Sequence, residues 1–260
     1  MIKLKNITKF YEKKPVVKDL TIEIEKGKIT ALVGENGAGK STVLSMIARF
    51  MKASHGEILL EGESIRTIKD LEMAKKMAVL KQMNAVNVKL TIRELVELGR
   101  FPHSKGRLNE TDHEAVDQAL EYLTLHNIQH KYLDEISGGQ RQRAFIAMVV
   151  AQDTEYILLD EPLNNLDMRN SVKIMKTLKR LSEEMSKTIV MVIHDINFAS
   201  AYADHIVALK DGALVASGTV SDIMTNETLS EIFGMNCNVQ EFSGSKVCVY
   251  YRTEIPPQVG

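Results

Sequence analysis

A glycine-rich segment at residues 34–42 sets the limits on how this chain can fold: it reads GENGAGKST and matches the pattern G-x-x-x-x-G-K-[S/T]. An apolar run at residues 29–33 precedes it, and helical spacing begins at Thr42. Glycines let the backbone turn so that successive amide groups face one anion at a helix N-terminus. The alternative is a glycine-rich turn with a chance lysine. The strand–loop–helix context favours a phosphate loop that binds a nucleotide.

Two side chains of the phosphate loop have a specific predicted role. Lys40 would reach the β- and γ-phosphates of the nucleotide, and the Ser41 hydroxyl would be a ligand of Mg²⁺. The backbone amides of the loop would surround the phosphates. The predicted nucleotide-binding residues of the loop are Gly34, Glu35, Asn36, Gly37, Ala38, Gly39, Lys40, Ser41 and Thr42.

Three further segments follow in order: ISGGQRQR at residues 136–143, YILLDEP at 156–162, and an isolated His194. With the phosphate loop and Gln82, they resemble the Walker A, glutamine-loop, signature, Walker B and switch-histidine segments of ATP-binding cassette ATPases. The resemblance covers residues 1–235. An SGGQ segment just before Walker B is a specific mark, because other P-loop proteins do not need a second phosphate-sensing turn there.

An apolar strand predicted at residues 156–159 ends in two carboxylates, at the sheet edge where open α/β folds bind ligands. The resemblance implies that Asp160 holds Mg²⁺ through a coordinated water and that Glu161 polarises the water that attacks ATP. A solvated acidic turn is the alternative, which the Pro162 that follows disfavours. The resemblance also assigns Gln82 to the metal. The predicted cofactors are ATP and Mg²⁺, and the predicted metal ligands are Ser41, Gln82 and Asp160.

His194 follows an apolar run and precedes Asp195, so it should leave the sheet at the same edge as the carboxylates. A lone histidine is usually structural or exposed to solvent. The resemblance instead implies a switch histidine that contacts the γ-phosphate and orients the attacking water. The predicted catalytic residues are therefore Glu161, His194, Lys40 and Gln82.

The signature turn, residues 137–140, cannot easily reach a phosphate bound by Lys40 of its own chain, because a helical insertion displaces it. The resemblance implies that this turn completes the site of a second copy, with a helix N-terminus and the Ser137 hydroxyl facing the γ-phosphate. ATP would then be buried between the two subunits of a homodimer. Ile136 replaces the more usual leucine, a near-isosteric change. The predicted nucleotide-binding residues here are Ser137, Gly138, Gly139 and Gln140.

Two further residues are assigned to the nucleotide by the resemblance. Tyr11 ends a predicted strand and would stack on the adenine ring, with packing in the core as the alternative. Residues 164–167 form the D-loop, where NNLD departs from the commoner SALD and Asp167 keeps the acidic position. The departure leaves open which contacts Asn164 and Asn165 make between subunits.

Hydrophobic periodicity predicts the strands. Alternation at residues 2–8 and 16–24 is typical of half-buried antiparallel strands, and residues 56–65 add a strand pair around Gly62. Continuous apolar runs at residues 77–83 and 188–195 indicate strands covered on both faces. Such strands favour a central parallel sheet.

From Thr91 the apolar spacing becomes helical, and Asn109 supplies an N-cap signal. Residues 101–106 should interrupt the helices as an exposed loop. Helices are predicted at residues 91–100, 110–125 and 171–184, and a hairpin at 205–218 that turns at Asp211 and Gly212.

Together these elements predict an α/β fold: a P-loop NTPase core, RecA-like with a mainly parallel sheet, an antiparallel β-subdomain and an inserted helical subdomain. A chain of 260 residues can bury a substantial core. We expect a single ATPase domain over residues 1–260. Its core would comprise residues 1–87 and 156–260, and its helical subdomain about 88–155.

Bulk composition disfavours several classes of function. The 33 basic and 34 acidic residues give a formal net charge of −1, so no overall field recruits nucleic acid or an anionic membrane. No stretch approaches the ~20 apolar residues of a spanning helix, and the N-terminus lacks an apolar signal region. We therefore expect a cytoplasmic protein that meets the membrane through partner proteins. Cys237 and Cys248 match no zinc spacing and are expected to be reduced thiols.

In the family that the chain resembles, a coupling helix of each membrane subunit docks beside the glutamine loop, and the corresponding wall here is residues 83–108. ELVELGRFPHSKGR at residues 94–107 resembles the iron–siderophore, haem and cobalamin importer branch, and most closely its ferric-siderophore ATPases. An exposed loop is the alternative for residues 100–105. The resemblance implies two integral membrane permease subunits, an extracytoplasmic siderophore-binding protein as an indirect partner, and a peripheral location on the cytoplasmic face of the cell membrane.

The expected function is ATP hydrolysis that drives uptake of a ferric siderophore, without a nucleic-acid partner. A haem or corrinoid importer is the alternative within the same class. A cassette that acts on DNA needs long coiled-coil segments, and one that acts on ribosomes usually carries two cassettes per chain; the sequence has neither feature. Glu161 and His194 disfavour a pure nucleotide-binding regulator.

Overall fold

The computed structural model describes residues 1–81 and 89–251 of the chain. Gln82, a predicted metal ligand and catalytic residue, lies outside the described residues, as do residues 83–88 of the predicted docking wall. These assignments stay predictions. Within the described ranges, no helix combines the length and the apolar character needed to cross a membrane.

The chain divides into two compact units. The first unit is formed by Met1–Thr67 together with Val190–Gly260, and the second unit by Ile68–Ile189. The division falls inside one strand, Thr188–Val192. These boundaries differ from those predicted for a core and a helical subdomain, and that division stays a prediction.

The strands of the described residues are β1 (Ile2–Tyr11), β2 (Lys14–Ile24), β3 (Ile29–Val33), β4 (His55–Leu60), β5 (Glu63–Ser64), β6 (Met77–Leu80), β7 (Tyr156–Asp160), β8 (Thr188–Val192), β9 (His205–Lys210), β10 (Ala213–Thr219), β11 (Asn238–Phe242) and β12 (Ser245–Val249). The α-helices are α1 (Lys40–Ile47), α2 (Asp70–Lys76), α3 (Ile92–Leu98), α4 (Phe101–Ser104), α5 (Glu110–Tyr122), α6 (Gly138–Ala151), α7 (Met168–Met185), α8 (Ile196–Tyr202), α9 (Val220–Ile223) and α10 (Asn226–Phe233).

The N-terminal strands of the first unit form an antiparallel sheet in the order β2-β1-β4-β5. Ile2 lies opposite Ile24 in the β1–β2 pair, and both side chains are buried. Cross-strand pairs of apolar residues on one face stabilise such a sheet. The antiparallel strands predicted at residues 2–8 and 16–24 are confirmed, and so is the strand pair around Gly62.

A second group of strands in the first unit follows the order β10-β9-β3-β8, with β3 parallel to β9 and β10 antiparallel to it. Every residue of β3 is buried, as in a strand covered on both faces. The hairpin between β9 and β10 turns at Asp211 and Gly212, as predicted, and both residues have positive φ. The phosphate loop follows the carboxyl end of β3.

The C-terminal hairpin of the first unit, β11 and β12, is held against α8. The Asn197 side chain donates to the Cys248 carbonyl oxygen at 3.2 Å and accepts from the Cys248 amide at 2.8 Å. Cys237 and Cys248 are buried free thiols. Burial, together with a side-chain hydrogen bond between Cys248 and Cys237, raises the pKa of Cys248 to about 12. This thiol is therefore protonated and unreactive at neutral pH.

The second unit combines the strands β6 and β7 with a group of packed helices, α3, α5 and α6. β6 runs parallel to β7, as expected for continuous apolar strands. Capping boxes at Thr91, Asn109 and Ser137 start the three helices, because each side chain accepts from the backbone amide three residues later. The predicted N-cap at Asn109 is confirmed.

The expectation of a loop at residues 101–106 is wrong, because Phe101–Ser104 form the helical turn α4. Pro102 lies in the first turn of α4, where a proline removes no hydrogen bond of the helix. Phe101 is 63% exposed, so the segment does lie on the surface. Arg100, which precedes it, is only 6% exposed. The proline therefore starts a helix here instead of breaking one.

Candidate functional site

The phosphate loop of the first unit takes its shape from glycines with left-handed backbone angles. Gly34 has φ 137°, and an added methyl group would overlap the carbonyl oxygen of Leu209. Gly39 has φ 95° and is the N-cap of α1, and a methyl group there would lie 2.8 Å from the Val16 carbonyl oxygen. A side chain at either position is excluded by backbone conformation and by space. Both glycines are therefore required for the fold of the loop.

The loop also has the properties of an anion site. Among the described residues, no side chain caps the N-terminus of α1, where amide groups and the helix dipole favour a negative charge. A methyl group on Gly37 would meet no described atom within 4 Å, so the outer side of the loop is open. These features fit the phosphates of a nucleotide.

Lys40 places a positive charge at this loop. Its side chain is largely buried, and its Nζ donates to the carbonyl oxygens of Gly34 at 2.8 Å and Glu35 at 2.7 Å. These bonds hold the cation at the loop, where its positive charge favours an anion. The lysine is thus held in the loop before any ligand arrives.

His194 lies in the first unit at the point where β8 ends. The Ile193 amide donates to the Leu32 carbonyl oxygen at 3.1 Å, so His194 leaves β8 close to where Gly34 leaves β3. The His194 side chain is exposed. Asp195 caps α8 by accepting from the Asn197 amide at 2.8 Å. The first unit therefore brings the phosphate loop and the predicted switch histidine to one sheet edge.

Tyr11 is 47% exposed, which excludes packing in the core. Its hydroxyl donates to the Met51 sulfur at 3.2 Å, and Lys9 Nζ lies 5.7 Å from its ring centroid. An exposed aromatic face of this kind is able to stack on a base. Its assignment to adenine stays a prediction.

In the second unit, β7 delivers the two predicted carboxylates. Asp160 is the last residue of the strand, and Glu161 follows it with φ 52°, in the left-handed region that a non-glycine residue rarely adopts. The Asn164 side chain donates to Glu161 Oε2 at 3.1 Å, and the Asn164 amide donates to the Glu161 carbonyl oxygen at 3.2 Å. A strained residue held by its neighbours is a mark of functional sites. Sequence reasoning missed the role of Asn164, although its departure from SALD was the available signal.

The signature turn begins α6 in the same unit. Ser137 Oγ accepts from the Gln140 amide at 3.3 Å, while Gln140 Oε1 accepts from the Ser137 amide at 2.9 Å. Because the hydroxyl oxygen acts as an acceptor here, its hydrogen can still donate to a phosphate oxygen. Ser137 and Gly138 are exposed, and Gly139 is buried. The turn therefore presents a hydroxyl and a helix N-terminus to the surface.

Asp167 of the D-loop has a structural partner that the sequence did not reveal. Its carboxylate caps α7 by accepting from the Asn170 amide at 2.7 Å, and it also accepts from Asn170 Nδ2 at 2.8 Å. The Asn170 side chain lies directly against Gly139 of the signature turn. Asp160, Glu161, the signature turn and Asp167 all belong to the second unit.

A buried ion pair supports the helical region around the predicted docking wall. Arg100 Nε donates to Asp112 Oδ1 at 2.8 Å, and Arg100 Nη1 donates to the Ala151 carbonyl oxygen at 2.8 Å. Burial alone would raise the pKa of Asp112, but the Asn109 amide and the Arg100 guanidinium outweigh it, so that the pKa of Asp112 is lowered. This pair ties α4 to α5 and α6, and it excludes the exposed-loop interpretation for Arg100.

Comparison with known proteins places this geometry in a family. A family model described as ABC transporter matches residues 17–164. The petrobactin import ATP-binding protein YclP of Bacillus subtilis (strain 168) is 53% identical over 251 residues, covering 96% of this chain and 100% of the relative. The petrobactin import ATP-binding protein FatE of Bacillus anthracis is 46% identical, and the match covers 96% of this chain and 100% of FatE.

Solved structures agree with this placement. One is a dimeric ATP-binding cassette in a post-hydrolysis state, with ADP and phosphate bound. It matches with a TM-score of 0.74 and 32% sequence identity, and the match covers 85% of this chain and 99% of the cassette's chain. Because the family model spans more than half of the chain and a relative shares 53% identity along nearly all of it, the chain belongs to the ABC transporter family.

Proposed function

We propose that this chain is the ATP-hydrolysing subunit of a bacterial importer for a ferric siderophore. It works as a homodimer on the cytoplasmic face of the membrane, beneath two permease subunits that receive cargo from an extracytoplasmic binding protein. The observation that carries the proposal is the 53% identity, along 96% of the chain, to a petrobactin import ATP-binding protein. Petrobactin is accordingly the first cargo to test.

The phosphate loop binds ATP through its backbone amides and the Lys40 ammonium. The Ser41 hydroxyl and the Asp160 carboxylate would hold Mg²⁺, because oxygen atoms are the ligands that this ion prefers. When bound, Mg²⁺ would supply positive charge that neutralises the charge developing during transfer. Gln82 is the remaining proposed ligand.

Hydrolysis depends on a correctly aimed carboxylate. Glu161 accepts a hydrogen bond from Asn164 at 3.1 Å, which restricts its rotamer, and its carboxylate polarises the attacking water. His194 contacts the γ-phosphate and orients that water. Tyr11 stacks on adenine. Positioning of this kind supplies most of the catalysis in phosphoryl transfer.

The signature turn and Asp167 of one subunit complete the site of the other. The Ser137 hydroxyl and the N-terminus of α6 bind the γ-phosphate held by the partner. ATP thus closes the dimer, and hydrolysis reopens it. The cycle transmits work to the permease subunits through the wall at residues 83–108.

Glu161→Gln tests the proposed chemistry. It keeps the size of the side chain but removes the charge that polarises water, so hydrolysis should fall at least about 100-fold while ATP binding remains. The variant should form an ATP-dependent dimer on size exclusion with light scattering. Glu183→Gln is the matched control, since Glu183 is 61% exposed on α7 and should keep wild-type hydrolysis. Unchanged hydrolysis by Glu161→Gln, or a monomer at saturating MgATP, would contradict the assignment.

Uptake by cells tests the cargo. Deleting the gene in its native bacterium should abolish accumulation of radiolabelled iron supplied as ferric petrobactin. The wild-type gene should restore uptake, and the Glu161→Gln variant should not. Haem and corrinoid uptake should continue in the deletion strain. Normal siderophore uptake with a loss of haem or corrinoid uptake would instead support the alternative importer.

A further inference from the structure

The signature turn and the start of α7 are in close contact at one point. A methyl group added to Gly139 would lie 2.5 Å from Asn170 Cγ and 2.6 Å from Asn170 Nδ2, too short for real atoms. A methyl group on Gly138 would meet no described atom within 4 Å. Only a glycine therefore fits beneath the Asn170 amide at position 139.

The Asn170 amide group is itself fixed in place. Its Nδ2 donates to Asp167 Oδ2 at 2.8 Å, while the Asn170 backbone amide donates to Asp167 Oδ1 at 2.7 Å. Hydrogen bonds to a carboxylate are stronger than those between neutral groups, so they hold the side chain in one rotamer. Asn170 cannot move away from Gly139 without breaking the first of these bonds.

A second contact joins the same two segments. Gln142 Nε2 on α6 donates to the Pro162 carbonyl oxygen at 2.9 Å. Pro162 directly follows Glu161, whereas Asn170 lies beyond the D-loop. Helix α6, which begins with the signature turn, therefore contacts the segment 161–170 near both ends of that segment. All of these residues belong to the second unit.

We propose that Asn170 is a positioning residue for ATP hydrolysis. Its contacts with Gly139 and Asp167, which we call the lock, hold the signature turn against the D-loop of the same subunit. The proposal rests on the proposed function, in which the signature turn meets the ATP of the partner while Glu161 serves the ATP of its own subunit. When Ser137 engages the partner's γ-phosphate, the lock restrains the segment that carries Glu161. The lock thus makes the activity of one nucleotide site depend on closure at the other.

Removing the Asn170 side chain should slow ATP turnover and leave ATP binding nearly unchanged. Asn170→Ala keeps the backbone hydrogen bond that caps α7 but loses the amide, and kcat should fall about 10-fold. The ATP concentration for half-maximal rate should change less than about 2-fold, because the phosphate loop is untouched. Asn170→Asp keeps the shape but places a carboxylate beside Asp167, so it should lose kcat to a similar extent.

A double-mutant cycle tests the lock without ATP. Gly139→Ala forces the Asn170 amide off Asp167 and should lower Tm by about 4 °C, the size expected for about 1 kcal/mol or more in a chain of this length. In the Asn170→Ala background, the same methyl group enters vacated space and should lower Tm by less than about 1 °C. Gly138→Ala is the matched control, and its effect on Tm should be equal in both backgrounds.

The outcomes distinguish this inference from the proposed function. An equal Tm penalty for Gly139→Ala in both backgrounds would overturn the lock. Wild-type kcat in Asn170→Ala, measured beside a wild-type protein that hydrolyses ATP, would overturn the positioning role alone. A wild-type protein that binds but does not hydrolyse ATP would overturn the proposed function, and the positioning role with it.

Discussion

The phosphate loop and the signature turn both meet the phosphates of ATP in the proposed function, but they are built from different parts of the chain. The phosphate loop depends on backbone: Gly34 and Gly39 adopt positive φ, and carbonyl oxygens hold Lys40. The signature turn depends on side chains, because Ser137 caps α6 and Asn170 covers Gly139. A site made of backbone tolerates little change at its glycines, whereas a site made of side chains can be altered one contact at a time.

The largest expected loss of ATP hydrolysis comes from inactivating the phosphate loop and the signature turn separately. Lys40→Ala should weaken nucleotide binding, and Ser137→Arg should leave binding intact but block the partner's γ-phosphate. Each homodimer should lose hydrolysis about 1000-fold, or about 4 kcal/mol of transition-state stabilisation. Nucleotide binding by equilibrium dialysis and phosphate release measure the two defects.

Mixing the two variants sharpens this comparison. A dimer with one Lys40→Ala chain and one Ser137→Arg chain contains one site with an intact phosphate loop and an intact signature turn. Hydrolysis should therefore recover in the mixture. Activity no higher than that of either parent would argue against a site shared between subunits.

A smaller effect should come from side chains added to the phosphate loop. Gly34→Ala combines a forbidden φ with overlap at the Leu209 carbonyl oxygen, so it should lower the free energy of unfolding by about 3 kcal/mol. Gly37→Ala has positive φ but open space among the described residues, and it should cost about 1 kcal/mol. Urea denaturation followed by circular dichroism measures both. Equal costs would show that backbone conformation alone, and not the close approach, limits the loop.

The smallest expected effect is on the free energy of unfolding, and it comes from the ion pair between Arg100 and Asp112 in the second unit. The pKa of Asp112 is lower in the folded protein than in the unfolded chain, so its stabilising contribution is present above the unfolded pKa and is lost as pH falls toward the folded pKa. Asp112→Asn should cost about 2 kcal/mol of unfolding free energy at pH 7, because Arg100 stays buried without its partner charge. The difference from wild type should shrink below about pH 4.

Urea denaturation at a series of pH values measures this difference. Asp117→Asn on the same helix is the control, because Asp117 is 52% exposed and pairs with Arg93 at the surface. Exposed pairs contribute little, so this variant should stay within about 0.5 kcal/mol of wild type at every pH. A difference for Asp112→Asn that does not vary with pH would show that the carboxylate charge does not stabilise the fold.

Local patterns were sufficient for much of the fold and for the phosphate loop. Alternation identified β1 and β2, continuous apolar runs identified β6 and β8, and the N-cap at Asn109 marked the start of α5. The loop after β3 was predictable because the glycine spacing specifies its backbone directly. Pro102 was misread, because proline both interrupts helices and begins them.

The contacts between elements could not be read in the same way. Hydrogen bonds join three pairs of residues: Arg100 with Asp112, Asn164 with Glu161, and Gln142 with Pro162. No periodic pattern in the sequence predicts any of these pairs. Periodicity assigns a residue to a buried or an exposed face, but it does not select the neighbour on that face. The partner of a polar side chain depends on how helices pack and how loops are held.

The sequence by itself determined the family, the strand–loop–helix turn around Lys40 and the identity of the carboxylates after β7, because these features depend on residues adjacent in the chain. Only the tertiary structure decided that Asn170 lies against Gly139, that Asn164 holds Glu161, and that Arg100 is buried. Asn170 and Arg100 meet residues of other elements, and the contact of Asn164 depends on the left-handed backbone of Glu161. None of this geometry exists before the chain has folded.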